Sequence, residues 1–193
     1  MITHLNGKLV EKNPTFVIIE CNGVGYFLNI SLNTYSKIPD AEALKLYTYL
    51  YIKEDSHTLF GFADKVEREI FKLLISVSGV GPSIGRTMLS SMTPEQIQHA
   101  IASEDVATIQ SVKGIGAKTA QRVIIDLRDK IVKTYEISED SAFNHNTIRD
   151  EALSALEVLG FSRKQVEKIV QKIIQEAPNT SLENIIKQAL KIL

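Results

Sequence analysis

The sequence predicts an α+β chain in three domains: a small β-barrel, an all-helical middle and a short three-helix bundle at the C-terminal end. Three observations predict it. Residues 1–63 carry runs rich in β-branched and aromatic residues, one of them strictly alternating. Residues 64–135 contain a Gly-aliphatic-Gly stretch that recurs 35 positions later inside helical pattern. Beyond a polar, acidic stretch at 136–146, residues 147–193 hold three short amphipathic runs.

Composition narrows the function classes. The chain has 193 residues, 44% of them hydrophobic, which suits a globular fold. No apolar run approaches the ~18 residues that span a bilayer, and Met1–Leu5 lacks the basic flank and apolar core of a signal peptide. A cytoplasmic location and no membrane partner are therefore expected. Cys21 is alone, which rules out an intrachain disulfide and points to a buried strand residue in a reducing compartment. Net charge is −1, unusual for a DNA binder, but it is unevenly spread. Residues 1–63 carry 5 Lys and Arg against 6 Asp and Glu, residues 64–135 carry 10 against 8, and residues 136–193 carry 7 against 9. The small basic excess lies in the middle segment, so backbone amides must do much of any anion binding there.

Within residues 1–63, a turn at Lys12-Asn13-Pro14 precedes the strand Thr15–Cys21, and Asn22-Gly23-Val24-Gly25 turns into Tyr26–Ile30. Leu44 to Lys53 alternates, with Leu44, Leu46, Thr48, Leu50 and Ile52 on one face and Lys45, Tyr47, Tyr49, Tyr51 and Lys53 on the other. His57–Phe62 closes the set. Five strands in such a length fit a small Greek-key barrel of the OB type. The tyrosine stripe could stack on bases, pack against a neighbouring domain or subunit, or be plain strand surface; apolar residues on both faces favour the packing contact. The tip Lys53-Glu54-Asp55-Ser56 is acidic, as solvated hairpin tips often are.

Asp64 to Glu67 has capping-box spacing before Val66, Ile70, Phe71 and Leu74, and Thr93-Pro94-Glu95 opens a helix through Ala102. Between them stands Val77-Ser78-Gly79-Val80-Gly81-Pro82-Ser83, answered by Val112-Lys113-Gly114-Ile115-Gly116-Ala117-Lys118 ahead of a helix to about Lys133. The first Gly of each copy ends a helix at a positive φ, the aliphatic residue plugs the corner, and the second Gly opens the next helix's N-terminus. Free N–H groups and the positive end of the helix dipole make that terminus a phosphate seat. One Gly-x-Gly would be ordinary packing; two in register, with Lys118, Thr119 and Arg122 after the second, read as a helix-hairpin-helix pair that grips DNA phosphates. Candidate contacts are Gly79, Val80, Gly81, Ser83, Gly114, Ile115, Gly116, Lys118, Thr119 and Arg122.

Residues 136–146 read as a flexible linker. The tail helices are marked by Ile148, Ala152, Leu156 and Leu159 up to Gly160, by Ser162 with Val166, Ile169, Val170 and Ile173, and, past Pro178, by Ser181 with Leu182, Ile185, Ile186, Ala189 and Leu190. So small a bundle on a tether usually binds a partner. Catalytic constellations are missing: there is no P-loop for ATP, His4, His57, His99 and His145 are scattered, and the middle carboxylates form no cluster for Mg²⁺. No metal site, cofactor or catalytic residue is expected. Two other classes remain in view. A helix-hairpin-helix glycosylase or nuclease would need a catalytic Lys or Asp in a base pocket just beyond the hairpin, or a metal-carboxylate cluster; Asp126 is the only acid at a suggestive place. A pure protein adaptor would use its hairpins only for packing.

Taken in order, Asn22-Gly23-Val24-Gly25-Tyr26, Glu54-Asp55 before Leu59-Phe60-Gly61-Phe62, Gly79-Val80-Gly81-Pro82, Gly114-Ile115-Gly116 with Lys118-Thr119-Ala120, and Ala155–Phe161 resemble the RuvA family over essentially the whole chain. These are Holliday junction-binding subunits of bacterial branch-migration complexes. The resemblance implies a homotetramer, or two face to face as an octamer, on four-way junction DNA. It implies an acidic pin at Glu54 and Asp55, and a UBA-like tail in which Leu156, Leu159, Gly160 and Phe161 meet the RuvB motor. ATP and Mg would belong to that motor, and the RuvC resolvase would share the junction. One departure stands out: where the family often carries Lys after the Pro of the first hairpin and a Lys pair in the second, this chain has Ser83 and Ala117-Lys118.

Overall fold

The computed structural model describes residues 1–139, 144–177 and 180–193, which form two compact units, Met1–Lys133 and Thr134–Leu193. Five strands open the first unit: β1 (His4–Asn13), β2 (Phe16–Cys21), β3 (Val24–Asn29), β4 (Ala43–Ile52) and β5 (His57–Phe62). They close in the order β1-β2-β3-β5-β4, with β1 returning to β4 and a short parallel contact between β3 and β5. This is the expected five-stranded barrel. Its interior is Leu5, Val17, Ile19, Leu28, Ile30, Ile38, Leu44 and Leu46. A Cβ on Gly61 would lie 3.0 Å from Leu28 and 3.1 Å from Leu46, so a side chain there would compete with that core. Cys21 is half-buried rather than buried, with its thiol donating to Asn6 O at 3.4 Å.

Between β3 and β4 the chain forms α1 (Leu32–Lys37), which the sequence pattern did not announce. Six residues are too few for a visible period; its one signal is Ser31, whose hydroxyl accepts from Thr34 N at 2.9 Å as an N-cap.

The helical part begins with α2 (Lys65–Ile75), capped by Asp64, which accepts from Glu67 N at 2.8 Å. The reciprocal half of the expected box is absent. Glu67 turns inward, and its carboxylate accepts from Ser31 Oγ and, at 2.6 Å, from Thr34 Oγ1, which itself accepts from Ala63 N. Glu67, Ile70, Phe71 and Leu74 share one face at helical spacing, and Val66, one step off it, is 50% exposed. Burial raises the Glu67 carboxyl above its ordinary value, against the two hydroxyls that favour its charged form.

Phe71 joins the two halves of the unit. It packs edge-on to Tyr49 at 5.7 Å and against Phe60 and Phe62 at 5.0 Å each. Tyr47 lies opposite Phe62 and Tyr49 opposite Phe60 across β4 and β5, so these side chains form one outer barrel face, covered by helices. Tyr51 packs against the same core. The tyrosine stripe is a domain contact, not a base-stacking surface.

α3 (Pro82–Ser91), α4 (Pro94–Ala102), α5 (Val106–Gln110) and α6 (Ala117–Glu139) follow. Thr93 and Gln96 cap α4 reciprocally and Asp105 caps α5. α6 runs six residues past its expected end, and α7 (Asn144–Val158) starts inside the stretch read as linker. No Gly or Pro falls within residues 134–139 or 144–158, so no residue of that kind stops either helix there. Residues 140–143 lie outside the described residues.

The second unit is built from α7, α8 (Arg163–Glu176) and α9 (Leu182–Ile192) around Ala152, Leu153, Leu156, Val166, Val170, Ile173, Ile185 and Ala189. Gly160, at φ 100°, ends α7: Phe161 N reaches Leu156 O at 3.2 Å and Gly160 N reaches Glu157 O at 3.0 Å. That bond pair is a Schellman motif, with Phe161 and Leu156 as its apolar contact. Pro178 lies outside the described residues.

Candidate nucleic-acid interface

The two Gly-aliphatic-Gly corners fold alike, bond for bond. Gly79 and Gly114 take φ 96° and 95°, a region that costs other residues roughly 1–2 kcal/mol. Val80 N donates to Val77 O at 3.0 Å, and Ile115 N to Val112 O at 3.1 Å. Val80 and Ile115 are the buried plugs. Gly81 N-caps α3 with Pro82 in the first helical position, and Gly116 precedes α6; their carbonyls accept from Gly85 N and Ala120 N, both at 2.9 Å.

Ahead of those bonds, the first-turn amides have no intrahelical acceptor. Elsewhere in this unit side chains fill that role: Ser31 for α1, Asp64 for α2, Thr93 for α4 and Asp105 for α5. α3 has no side-chain cap, and α6 starts after a glycine that has no side chain to offer. A Cβ on Gly81 or Gly116 would meet nothing within 4 Å. Two helix N-termini thus stand open to solvent with their donors unmet, an arrangement suited to a phosphate oxygen.

The corners also touch each other. A Cβ on Gly79 would lie 3.7 Å from Thr119 Oγ1, and one on Gly114 would lie 4.0 Å from Ile84 Cγ1. A shift of 35 carries Gly79 to Gly114 and Ile84 to Thr119, so each contact is the other with the hairpins exchanged. Such exchange is the mark of a local two-fold axis between the hairpins. Spacing alone could locate the two motifs; it could not show that they meet.

Around the second corner Lys113, Lys118 and Arg122 are exposed, without an ion-pair partner among the described residues. Ser83 is exposed beside the first. Asp126 is exposed on α6, and among the described residues no three His, Cys, Asp or Glu side chains gather as a metal would need.

Glu54 and Asp55 form the exposed tip between β4 and β5, where Lys53 N donates to Ser56 O at 2.8 Å. In the tail, Leu156 is fully buried and holds α7 to its neighbours, so it presents nothing to a partner. Phe161 is half-buried; the exposed apolar residues at the end of α7 are Leu159, at 57%, and Val158, at 88%, which the sequence reading passed over. No described helix is long and apolar enough to cross a membrane.

Comparison with known proteins agrees with this architecture. Residues 1–61 match the family described as RuvA N terminal domain, residues 71–129 the SAM-like helix-hairpin-helix tandem, and residues 147–193 the RuvA C-terminal domain. The chain is 64% identical to a protein of Christiangramia forsetii, 63% to one of Flavobacterium psychrophilum and 50% to one of Cytophaga hutchinsonii, each alignment covering all of both chains. All three relatives are named Holliday junction branch migration complex subunit RuvA. With its barrel, paired hairpins and three-helix tail in the family's order, the chain belongs to the RuvA family.

Proposed function

We propose that this chain binds four-way (Holliday) DNA junctions, holds them open and acts as the non-catalytic DNA-binding subunit of an ATP-driven branch-migration complex in recombination and repair. The observation that carries this reading is the pair of uncapped, glycine-started helices related by a local two-fold axis. Gly79, Val80, Gly81 and Ser83 form one phosphate seat; Gly114, Ile115, Gly116, Lys118, Thr119 and Arg122 form the other. Contacts of this kind position a protein on DNA without reading bases, as a junction that moves through sequence requires.

The same reading assigns the remaining surfaces. Phe16 and Phe27 stack at 4.7 Å on the outer barrel wall, with Phe27 half-exposed, and support a homotetramer contact there. A fourfold ring would bring the Glu54–Asp55 tips together as a central acidic pin, and two rings face to face would make an octamer. The exposed end of α7 supports docking of the separate RuvB motor, which would use the ATP and Mg; the RuvC resolvase would act on the same junction. The setting is the bacterial cytoplasm.

A gel-shift titration with a synthetic four-way junction and a linear duplex of equal length tests the reading. The junction should bind far more tightly, with no dependence on its base sequence. Equal affinity for both DNAs would overturn it.

A further inference from the structure

The 35-residue step that relates the hairpins also sets their outer side chains against one another, and the pairing is one-sided. Ser78 corresponds to Lys113, Ser83 to Lys118 and Thr87 to Arg122. Each of these three cations at the second corner is a hydroxyl in the first. Moreover, every cation on the first hairpin's helices is held within the chain. Lys65 lies over the Tyr47 ring at 5.8 Å, Arg68 bonds Glu69 and Thr3 O at 3.1 Å each, and Lys72 pairs with Glu69 at 2.7 Å. Arg86, the one cation of α3, reaches back to the barrel, donating to Asn29 Oδ1 at 3.0 Å and Thr15 O at 3.2 Å. Thr87 donates its hydroxyl to Ser83 O at 2.9 Å, which leaves Ser78 and Ser83 as the exposed neutral donors.

Resting on the phosphate-seat reading above, we infer that the two hairpins divide the grip: the second holds DNA through cations and amides, the first through neutral donors alone. The two strands of a duplex are themselves related by two-fold axes, so seats related by a local two-fold axis face one strand each. One strand of an arm is therefore held by charge and the other by hydrogen bonds. Cations that neutralise phosphates release counterions and make affinity fall with salt; uncharged donors release few. Nearly all the salt dependence of binding then comes from one hairpin, and salt loosens one strand ahead of the other.

The probe is a synthetic four-way junction titrated with the full chain at several salt concentrations. Lys118→Ala and Arg122→Ala should each flatten the slope of log affinity against log salt by about one unit per engaged subunit. Ser83→Ala should lower affinity several-fold at every salt concentration and leave the slope unchanged. The double variant Ser78→Lys with Ser83→Lys should steepen it by about two units per engaged subunit. On wild-type protein, a methylphosphonate patch on one strand of an arm should flatten the slope and the same patch opposite should not. Equal slope changes from Ser83→Ala and Lys118→Ala, or from patches on either strand, would overturn the division. Failure of the seats themselves would look different: Gly81→Glu and Gly116→Glu, at positions where a Cβ meets nothing within 4 Å, would then bind the junction normally.

Discussion

Gly79 of the first hairpin lies against Thr119 of the second, with 3.7 Å between the position of a Gly79 Cβ and Thr119 Oγ1. Its counterpart, Gly114 against Ile84, repeats the contact with the hairpins exchanged. Each corner is therefore braced by the helix that follows the other, and the separation of the two open helix ends is set by packing rather than by a loop.

The glycines should divide into a folding pair and a binding pair. Gly79→Ala meets no clash but must hold φ near 96°, so it should cost about 1–2 kcal/mol in urea denaturation. A Cβ at Gly116 meets nothing within 4 Å and the position needs no positive φ, so Gly116→Glu should leave the urea midpoint nearly unchanged. At the proposed phosphate seat its carboxylate would repel the DNA backbone, and junction binding should disappear in the gel shift.

Glu104 is a strained residue whose relief should be measurable. It sits at φ 58° between α4 and α5, where Asp105 N bonds Ala100 O and Glu104 N bonds Ile101 O, a Schellman ending that favours glycine. Its ion pair with Arg128, 2.6 Å long, is more than half exposed on both sides and contributes little. Glu104→Gly should stabilise the protein by about 1 kcal/mol in urea denaturation. No gain would mean the ion pair offsets the backbone strain.

Glu67 should make stability fall as pH rises. Burial raises its folded-state value, so the unfolded chain releases this proton first. Its contribution is complete below the ordinary carboxyl range near 4.5 and is lost as pH climbs through the raised folded value. Asp64 and Glu69 act in the opposite sense: burial works to raise each, but hydrogen bonds from Lys37 and Lys72 win and lower them. Comparing wild type with Glu67→Gln isolates the Glu67 term. As pH rises from the ordinary value near 4.5 through the raised folded value, the difference between the two should shift in favour of the Gln variant. Glu67→Ala should cost about 1–3 kcal/mol, because it strands the hydroxyls of Ser31 and Thr34.

The acidic tip is expected to oppose binding in the wrong place. A carboxylate about 6 Å from a phosphate costs roughly 0.7 kcal/mol in bulk water, and several-fold more at an effective dielectric near 20. Glu54→Gln with Asp55→Asn should tighten binding to linear duplex, narrow the junction-to-duplex preference and change the migration rate. Unchanged duplex affinity and unchanged migration would reduce the pair to a solvated turn.

A chain stopped after Glu139, at the last described residue of α6, should keep junction binding and lose stimulation of the motor's ATPase. Changing exposed Val158 and Leu159 to Ser in the full chain should cause the same loss without unfolding the tail, as read by circular dichroism. The same pair of changes with full stimulation would move motor docking elsewhere.

The sequence by itself determined what depends on near neighbours. The doubled hairpin was legible because a positive φ, an aliphatic plug and an open helix start are each set within a few residues. Strand alternation, the Thr93-Pro94 start and the Gly160 stop are local in the same way. Tertiary structure decided where polar groups with several possible partners would go. Glu67 has the spacing of a cap, yet hydroxyls brought from Ser31 and Thr34, more than 30 residues away, draw it into the interior. Arg86 stands beside the first hairpin like a phosphate ligand, but Asn29 and Thr15 from the barrel hold it. Tyr49 could have faced bases until Phe71 covered it, and Leu156 and Leu159 carry the same side chain to opposite fates, buried core and exposed rim. Periodicity states which residues share a face; only packing between distant segments decides what that face meets.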